Sequence, residues 1–401
     1  MTESGLWWER PDLRYRGGRL EFGGRDLSAL AAEGTPAYVY RAGRMCENLG
    51  RLRAALDAAG IPHDAYFALK ANRFTPLLAA LRAHGGCGID ACSPAEVRLA
   101  LSLGFRESEL SFTGHAVADA DIDVLHAHPG VHVNCDAIST IRRLGARCPG
   151  RTIGIRLNPG LGAGYNERLR YAGEKPTKFG VYPDRLDEAF ATAREAGMTI
   201  DTLHFHVGSG YQGDALEVLE QVVHGVAKIL DANPGIRRLN VGGGLGVRMT
   251  ESDVPVDLAR WASLIAEVAQ PRGLRVAVEP GDYLVKDAGV LLAQVNTIED
   301  KAGTRFVGVN AGLGILNLMA YYRIPYVVAP LCLRPGAPTG RVTISGNINE
   351  AMDLLAEDVE VAGLQEGDFL ALLNVGGYGS AAASNHCMRG EFREVLLDGK
   401  G

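Results

Sequence analysis

From Ala37 to about residue 283 the chain alternates short apolar runs with stretches whose apolar residues recur every three or four positions. Folds built of strand–helix units satisfy that pattern. The series opens with a strand at Ala37-Tyr-Val-Tyr40, a helix from Arg44 to Ala59 with Leu49, Leu52 and Leu56 as its apolar positions, and a strand at Ala65 to Leu69. Further strands are expected at Gly88-Ile-Asp-Ala, Leu110-Ser-Phe-Thr, His132-Val-Asn, Thr152-Ile-Gly-Ile-Arg-Leu, Leu203-His-Phe-His-Val, Arg238-Leu-Asn-Val and Val276-Ala-Val-Glu. Helical stretches such as Pro94 to Leu103, Pro183 to Ala196, Ala215 to Ala232 and Asp257 to Ala269 separate them. About eight units in about 245 residues is the size of a (β/α)8 TIM barrel with parallel strands, and a doubly wound sheet is the runner-up. Past residue 284 the texture becomes short β-rich runs broken by Gly and Pro, among them Gly289 to Val295, Arg341 to Ile344 and Phe369 to Asn374. That change predicts an antiparallel β domain. The expected division is residues 1–35 as a segment packing on and completing the β domain, 36–283 as the barrel, and 284–401 as the β domain.

Composition excludes several partners. A net charge of −6 with 22% charged residues lacks the basic surplus that nucleic-acid binding needs. The N-terminal stretch carries Glu3 before any apolar run, and nowhere do about 18 apolar residues run together, so neither a leader nor a membrane span is expected and a cytoplasmic location is. Seven cysteines, an odd number without CxxC or Cys/His metal spacing, fit reduced thiols and no metal site.

The stretch Tyr66-Phe-Ala-Leu-Lys-Ala-Asn72 sets one lysine at the end of an apolar strand. Burial there would favour the neutral amine, the form that attacks an aldehyde to make a Schiff base; the bland alternative is a lysine that snorkels out of the strand end. Reactive groups of a TIM barrel sit where strands pass into loops. Those places here hold Lys70, Asp90 followed by Ser93 and Glu96, Arg156 and Asn158, His204 and His206 before Gly-Ser-Gly, Gly242-Gly-Gly-Leu-Gly246, and Glu279-Pro-Gly281-Asp282. Taken singly, a strand histidine is most often a core residue and a glycine run most often a turn. Together, the glycines with Ser209 can cradle a phosphate, Glu279 can meet a ring nitrogen, and His206 can stack on a planar ring. Anchor, nitrogen partner and amine are what pyridoxal 5′-phosphate requires.

With these motifs on view the chain resembles the alanine-racemase-like enzymes of fold type III that use pyridoxal phosphate, and within them the diaminopimelate/ornithine decarboxylases. The resemblance spans nearly the whole sequence. It rests on Phe67-Ala-Leu-Lys70-Ala-Asn72, Asp90-Ala-Cys-Ser93-Pro-Ala-Glu96, Arg156-Leu-Asn-Pro159, Lys178-Phe-Gly180, His204-Phe-His206-Val-Gly-Ser209-Gly210, Gly242-Gly-Gly244, Glu279-Pro-Gly281 and Gly376-Gly-Tyr378-Gly-Ser-Ala-Ala-Ala-Ser384-Asn385. It implies that Lys70 forms the Schiff base, His206 stacks on the ring, Glu279 faces the pyridine nitrogen, and Ser209, Gly243, Gly244 and Tyr378 hold the phosphate. Asp90, Arg156 and Gly281 complete the expected cofactor set. It also implies a head-to-tail homodimer whose active sites are shared between one barrel and the partner's β domain.

Three departures shape the substrate expectation. Asp282 stands where the family has an Arg that contacts phosphate or a distal carboxylate, and Leu318 stands, by ungapped count, where the diaminopimelate branch has a second Arg. In Gly346-Asn-Ile-Asn349-Glu350-Ala-Met-Asp353, Asn349 replaces a proton-donating Cys, and an amide is no general acid. The loss of the two cations at Asp282 and Leu318 leads to the expectation that diaminopimelate is excluded. The expected reaction is decarboxylation of an amino acid, or of a conjugated or carrier-bound one, with an unusual distal group, as in specialised or siderophore-type metabolism. Lys70, His206, Glu279, Asn349 and Glu350 are the expected catalytic set, with Lys70, water, His386 or Tyr322 as proton source. Asp282, Tyr322, Asn349, Glu350, Asp353, Tyr378 and Asn385 are expected around the substrate. The alternatives are an epimerase, a decarboxylation-linked transaminase, or an inactive cofactor-binding regulator.

Overall fold

The computed structural model describes residues 5–173 and 175–398; residues 1–4, 174 and 399–401, which include the ends of the two expected terminal segments, lie outside the described residues. The chain divides into two compact units, one drawn from residues 46–247 and 254–284, the other from 1–45, 248–253 and 285–401.

The first unit is a closed barrel of eight parallel strands in sequential order: β1 (His63–Ala68), β2 (Gly88–Ala91), β3 (Leu110–Phe112), β4 (His132–Cys135), β5 (Thr152–Leu157), β6 (Thr199–Phe205), β7 (Arg238–Asn240) and β8 (Arg275–Val278). Helices Thr75–His84, Pro94–Ser102, Asp119–Ala127, Ile138–Arg147, Leu186–Glu195, Leu216–Ala232 and Leu258–Ala269 follow successive strands. Parallel strands covered on both faces need apolar residues on both, which is why these segments read as near-continuous apolar runs. Their polar exceptions are concentrated inside. On β5, Ile153, Ile155 and Leu157 are buried at alternate positions, while Gly154 and Arg156 take the other face. Gly154 has a steric reason, since a Cβ there would lie 2.2 Å from Asn134 Oδ1.

The second unit carries a sheet in the order Val328–Pro330, Phe369–Leu372, Gly289–Lys301, Thr304–Val309, Thr339–Ser345 and Leu354–Ala362. The pairings are mostly antiparallel, with Thr304–Val309 and Thr339–Ser345 parallel. The strand Ala37–Tyr40, expected to lead the strand–helix series, belongs here instead. It pairs antiparallel with Gly289–Lys301 and parallel with Arg393–Leu396, and a four-residue apolar strand looks the same whichever sheet buries it. A small three-stranded sheet, Leu13–Arg16, Arg19–Phe22 and Arg25–Asp26, adds Leu13, Leu20 and Phe22 to the same core as Val39, Val290 and Leu373. Among the described residues no helix is long and apolar enough to cross a membrane.

Candidate active site

Glu279, one residue past β8, is the centre of a buried hydrogen-bond network. Its Oε1 accepts from Asn240 Nδ2 at 2.6 Å and from Ser111 Oγ at 3.2 Å, while Oε2 lies 3.0 Å from His204 Nε2. Asn134 Nδ2 in turn donates to Ser111 Oγ at 3.2 Å and to Thr113 Oγ1 at 3.0 Å. Strands β3, β4, β6 and β7 thus converge on a carboxylate held after β8. Burial by itself would raise the Glu279 carboxyl, but the His204 ring, as charge and as donor, and the Asn240 amide outweigh it and bring it down to about 2. Glu279 is an anion at any ordinary pH.

Asp90 on β2 behaves oppositely. Burial and the neighbouring Glu279 charge push its carboxyl well above the usual range, against the pull of Lys70, and its buried Oδ1 has no hydrogen-bond partner among the described residues. Two carboxyl groups of one site are driven in opposite directions, Glu279 down and Asp90 up.

Lys70 sits in a single 3₁₀ turn, Leu69–Ala71, directly after β1. Leu69 and Ala71 are buried, but Lys70 is exposed, so the expected burial of its amine is not met: the turn lifts it out at the C-terminal mouth of the barrel. The turn is tied on both sides. Ala68 N–H donates to Pro280 O at 3.2 Å, and Asn72 Oδ1 accepts from Phe74 N–H at 2.8 Å. Its charge acts on Asp90 and His206, which places the amine with them electrostatically.

His206 lies just past β6 with its ring 5.1 Å from that of Tyr171, tilted by 45°. Burial, then the charges of Lys70, Arg156 and His204, hold it well below the ordinary imidazole range, so the ring is neutral. Its Nδ1 is buried without a partner among the described residues. Arg156 on β5 is buried with its guanidinium 4.5 Å from the Phe179 ring centre. Ser209 Oγ donates to Tyr171 Oη at 3.4 Å.

Beside Ser209, Gly244 takes φ +103°, and its carbonyl accepts from the N–H groups of Gly210 and Tyr211 at 2.8 and 2.9 Å. A Cβ on Gly243 would fall 2.1 Å from Glu279 O. Only glycine permits that approach. The N–H groups of Gly243 and Gly244 have no acceptor among the described residues. Two open N–H groups, a hydroxyl, a neutral ring with a free edge, a buried carboxylate and an exposed amine suit a planar, phosphorylated, nitrogen-containing aldehyde. Gly281 and Asp282 open the short helix Asp282–Val285, with Asp282 buried.

The other expected residues belong to the second unit. Asp353 spends both carboxylate oxygens on backbone, accepting from Leu313 N–H and Ile348 N–H at 2.6 Å each, so it braces the turn at 346–353. Glu350 Oε1 lies 3.0 Å from His386 Nε2, and Asn349 is exposed. Asn385 Oδ1 accepts from Gly390 N–H at 3.1 Å, Tyr322 is half-buried, and Tyr378 is half-buried at φ +60°. Sequence reading missed Ser111, Asn134 and Asn240. Ser111 is the lone polar residue of its strand, while Asn134 shares its strand with His132 and Asn240 with Arg238, and a polar residue within a buried strand was the available signal.

Comparison with known proteins agrees with the chemistry of the barrel. Residues 44–286 match the family model described as the pyridoxal-dependent decarboxylase, pyridoxal binding domain. The chain belongs to the fold type III decarboxylases that depend on pyridoxal phosphate, and it is an amino-acid decarboxylase that uses this cofactor. The diaminopimelate decarboxylase of Methanothermobacter thermautotrophicus is 33% identical, covering 96% of this chain and 92% of the relative. That of Pseudomonas aeruginosa is also 33% identical, covering 96% and 93%. The crystal structure of the Helicobacter pylori diaminopimelate decarboxylase complexed with L-lysine superposes with a TM-score of 0.85 at 26% identity, covering 93% of this chain and 94% of that one. These findings overturn the expected exclusion of diaminopimelate and the unusual, conjugated substrate that went with it. The exclusion rested on single residues at Asp282 and Leu318, whereas similarity to diaminopimelate decarboxylases extends over nearly the full length.

Proposed function

We propose that this enzyme removes a carboxylate from diaminopimelate, yielding lysine and carbon dioxide. The observation that carries the reading is the buried, ionised Glu279 at the mouth of a barrel whose near-full-length relatives bear that name. Pyridoxal phosphate supplies a carbonyl for the substrate amine and a ring that accepts the electron pair left by the departing carboxylate. The N–H groups of Gly243 and Gly244, with Ser209 Oγ and Tyr378, bind the phosphate. Glu279 keeps a proton on the ring nitrogen, and its low value means that it does not take that proton for itself. His206, neutral and flat, covers one ring face and keeps water from it. Arg156 and Gly281 line the same mouth, and burial together with the Glu279 charge disfavours a second anion at Asp90.

Lys70 would hold the cofactor covalently at rest. Its Nζ, once free, would be placed to deliver a proton to the carbon that has lost its carboxylate. Asp282, Tyr322, Asn349, Glu350 and Asn385 are assigned to the substrate's surroundings, and Asp353 to bracing Asn349 and Glu350. Mass spectrometry of the products from meso-diaminopimelate, with L-lysine, L-ornithine and L-arginine in parallel, tests the substrate. Lysine appearing with equimolar carbon dioxide is the expected outcome; turnover of another amino acid and none of diaminopimelate would refute it.

The homodimer with shared sites is part of the same proposal, supported by the exposure of Asn349 and Glu350. Mixing Lys70→Ala and Glu350→Ala proteins should restore up to about a quarter of wild-type activity through hybrid dimers. Absence of recovery after confirmed subunit exchange would remove the shared site.

A further inference from the structure

Asn240, the last residue of β7, is buried and uses both ends of its amide. Nδ2 donates to Glu279 Oε1 at 2.6 Å, and Oδ1 accepts from Gly242 N–H at 2.9 Å. Glu279 N–H donates back to Gly242 O at 2.8 Å, which closes a circuit of three residues. Gly242 stands at φ +68°, and a Cβ there would lie 2.6 Å from Phe205 O, so the turn leading to Gly243 and Gly244 has little freedom apart from this circuit. A side chain with one donor and one acceptor on a rigid plane is needed to join a carboxylate to an N–H group. Aspartate would keep the acceptor and lose the donor, while leucine would fill the volume and lose both.

We propose that Asn240 is a positioning residue that ties the carboxylate facing the ring nitrogen to the glycine turn facing the phosphate, so that both ends of pyridoxal phosphate are gripped as one unit. This rests on the roles given above to Glu279, Gly243 and Gly244. Because a buried hydrogen bond to a charged group is at stake, the effect of losing it is about ten- to a hundred-fold in affinity. Losing both ends of the Asn240 amide loosens both contacts, and a second lesion in the same circuit then has less left to remove.

Apoprotein is titrated with pyridoxal phosphate and with pyridoxal, the same ring without phosphate, while apoprotein melting temperatures control for folding. Asn240→Leu is expected to weaken pyridoxal binding and also to shrink the extra affinity contributed by the phosphate. Asn240→Asp, which keeps the Gly242 contact but sets a second carboxylate against Glu279, should lose ring affinity and retain the phosphate contribution. Added to Glu279→Gln, the Asn240→Leu change should have clearly less effect than in wild type. Wild-type affinities in both Asn240 variants, or strict additivity with Glu279→Gln, would overturn the proposal. Should Asn240→Leu fail to fold, the Asn240→Asp titration decides alone. Wild-type protein that binds pyridoxal as tightly as pyridoxal phosphate would instead break the underlying assignment of the two ends, and the proposal with it.

Discussion

Lys70→Ala is expected to lower decarboxylase turnover by at least about a thousand-fold, within the range for losing a positioned proton-transfer group that also serves as nucleophile. The fold should be untouched. Lys70 is exposed on a turn whose buried neighbours Leu69 and Ala71 do the packing, and exposed substitutions away from special contacts usually change stability by about 0.5 kcal/mol or less. The variant should therefore melt with wild type as apoprotein, yet lack a covalently held cofactor. A variant that keeps more than about a tenth of wild-type turnover would remove Lys70 from the chemistry.

Glu279→Gln is expected to reduce kcat by about a hundred- to a thousand-fold, as for removal of a preorganised charge partner. Glutamine preserves shape but offers no anion to a protonated ring nitrogen, and its NH2 must face either Asn240 Nδ2 or His204 Nε2, both within 3.0 Å of the carboxylate. The same substitution should change acid stability in a defined window. Glu279 is depressed from 4.5 to about 2, so its ionised form contributes stability that is fully present above the unfolded value and lost as pH falls from about 4.5 through about 2. Melting temperatures taken from pH 7 down to pH 3 should fall more steeply for wild type than for Glu279→Gln. Parallel curves would mean that the carboxylate is not held as an anion in the fold.

The barrel was legible because buried parallel strands leave largely apolar runs at regular spacing, and all eight of its strands overlap the expected ones, although Thr199–Phe205 begins four residues before the expected Leu203. Ala37–Tyr40 was misplaced for the same reason, since a β-sheet core asks for the same residues as a barrel. Lys70 stood out by type and position, but its exposure depends on one 3₁₀ turn that three residues of sequence do not announce. Strand-end polar residues flagged the mouth, while Ser111, Asn134 and Asn240 were passed over. Their meaning lies in partners on neighbouring strands, which sequence spacing does not reveal. Asp353 was read as a substrate contact, and its carboxylate is occupied by two backbone N–H groups that close only in the folded turn. The substrate reading failed differently: it gave two side chains, Asp282 and Leu318, more weight than the rest of the chain.

The most direct measurement is borohydride reduction of the purified protein, followed by peptide mass spectrometry to locate the reduced cofactor. The account predicts a phosphopyridoxyl group on the peptide containing Lys70 and on no other. Its presence on Lys175 or Lys178, or a colourless protein with no modified peptide, would contradict the account.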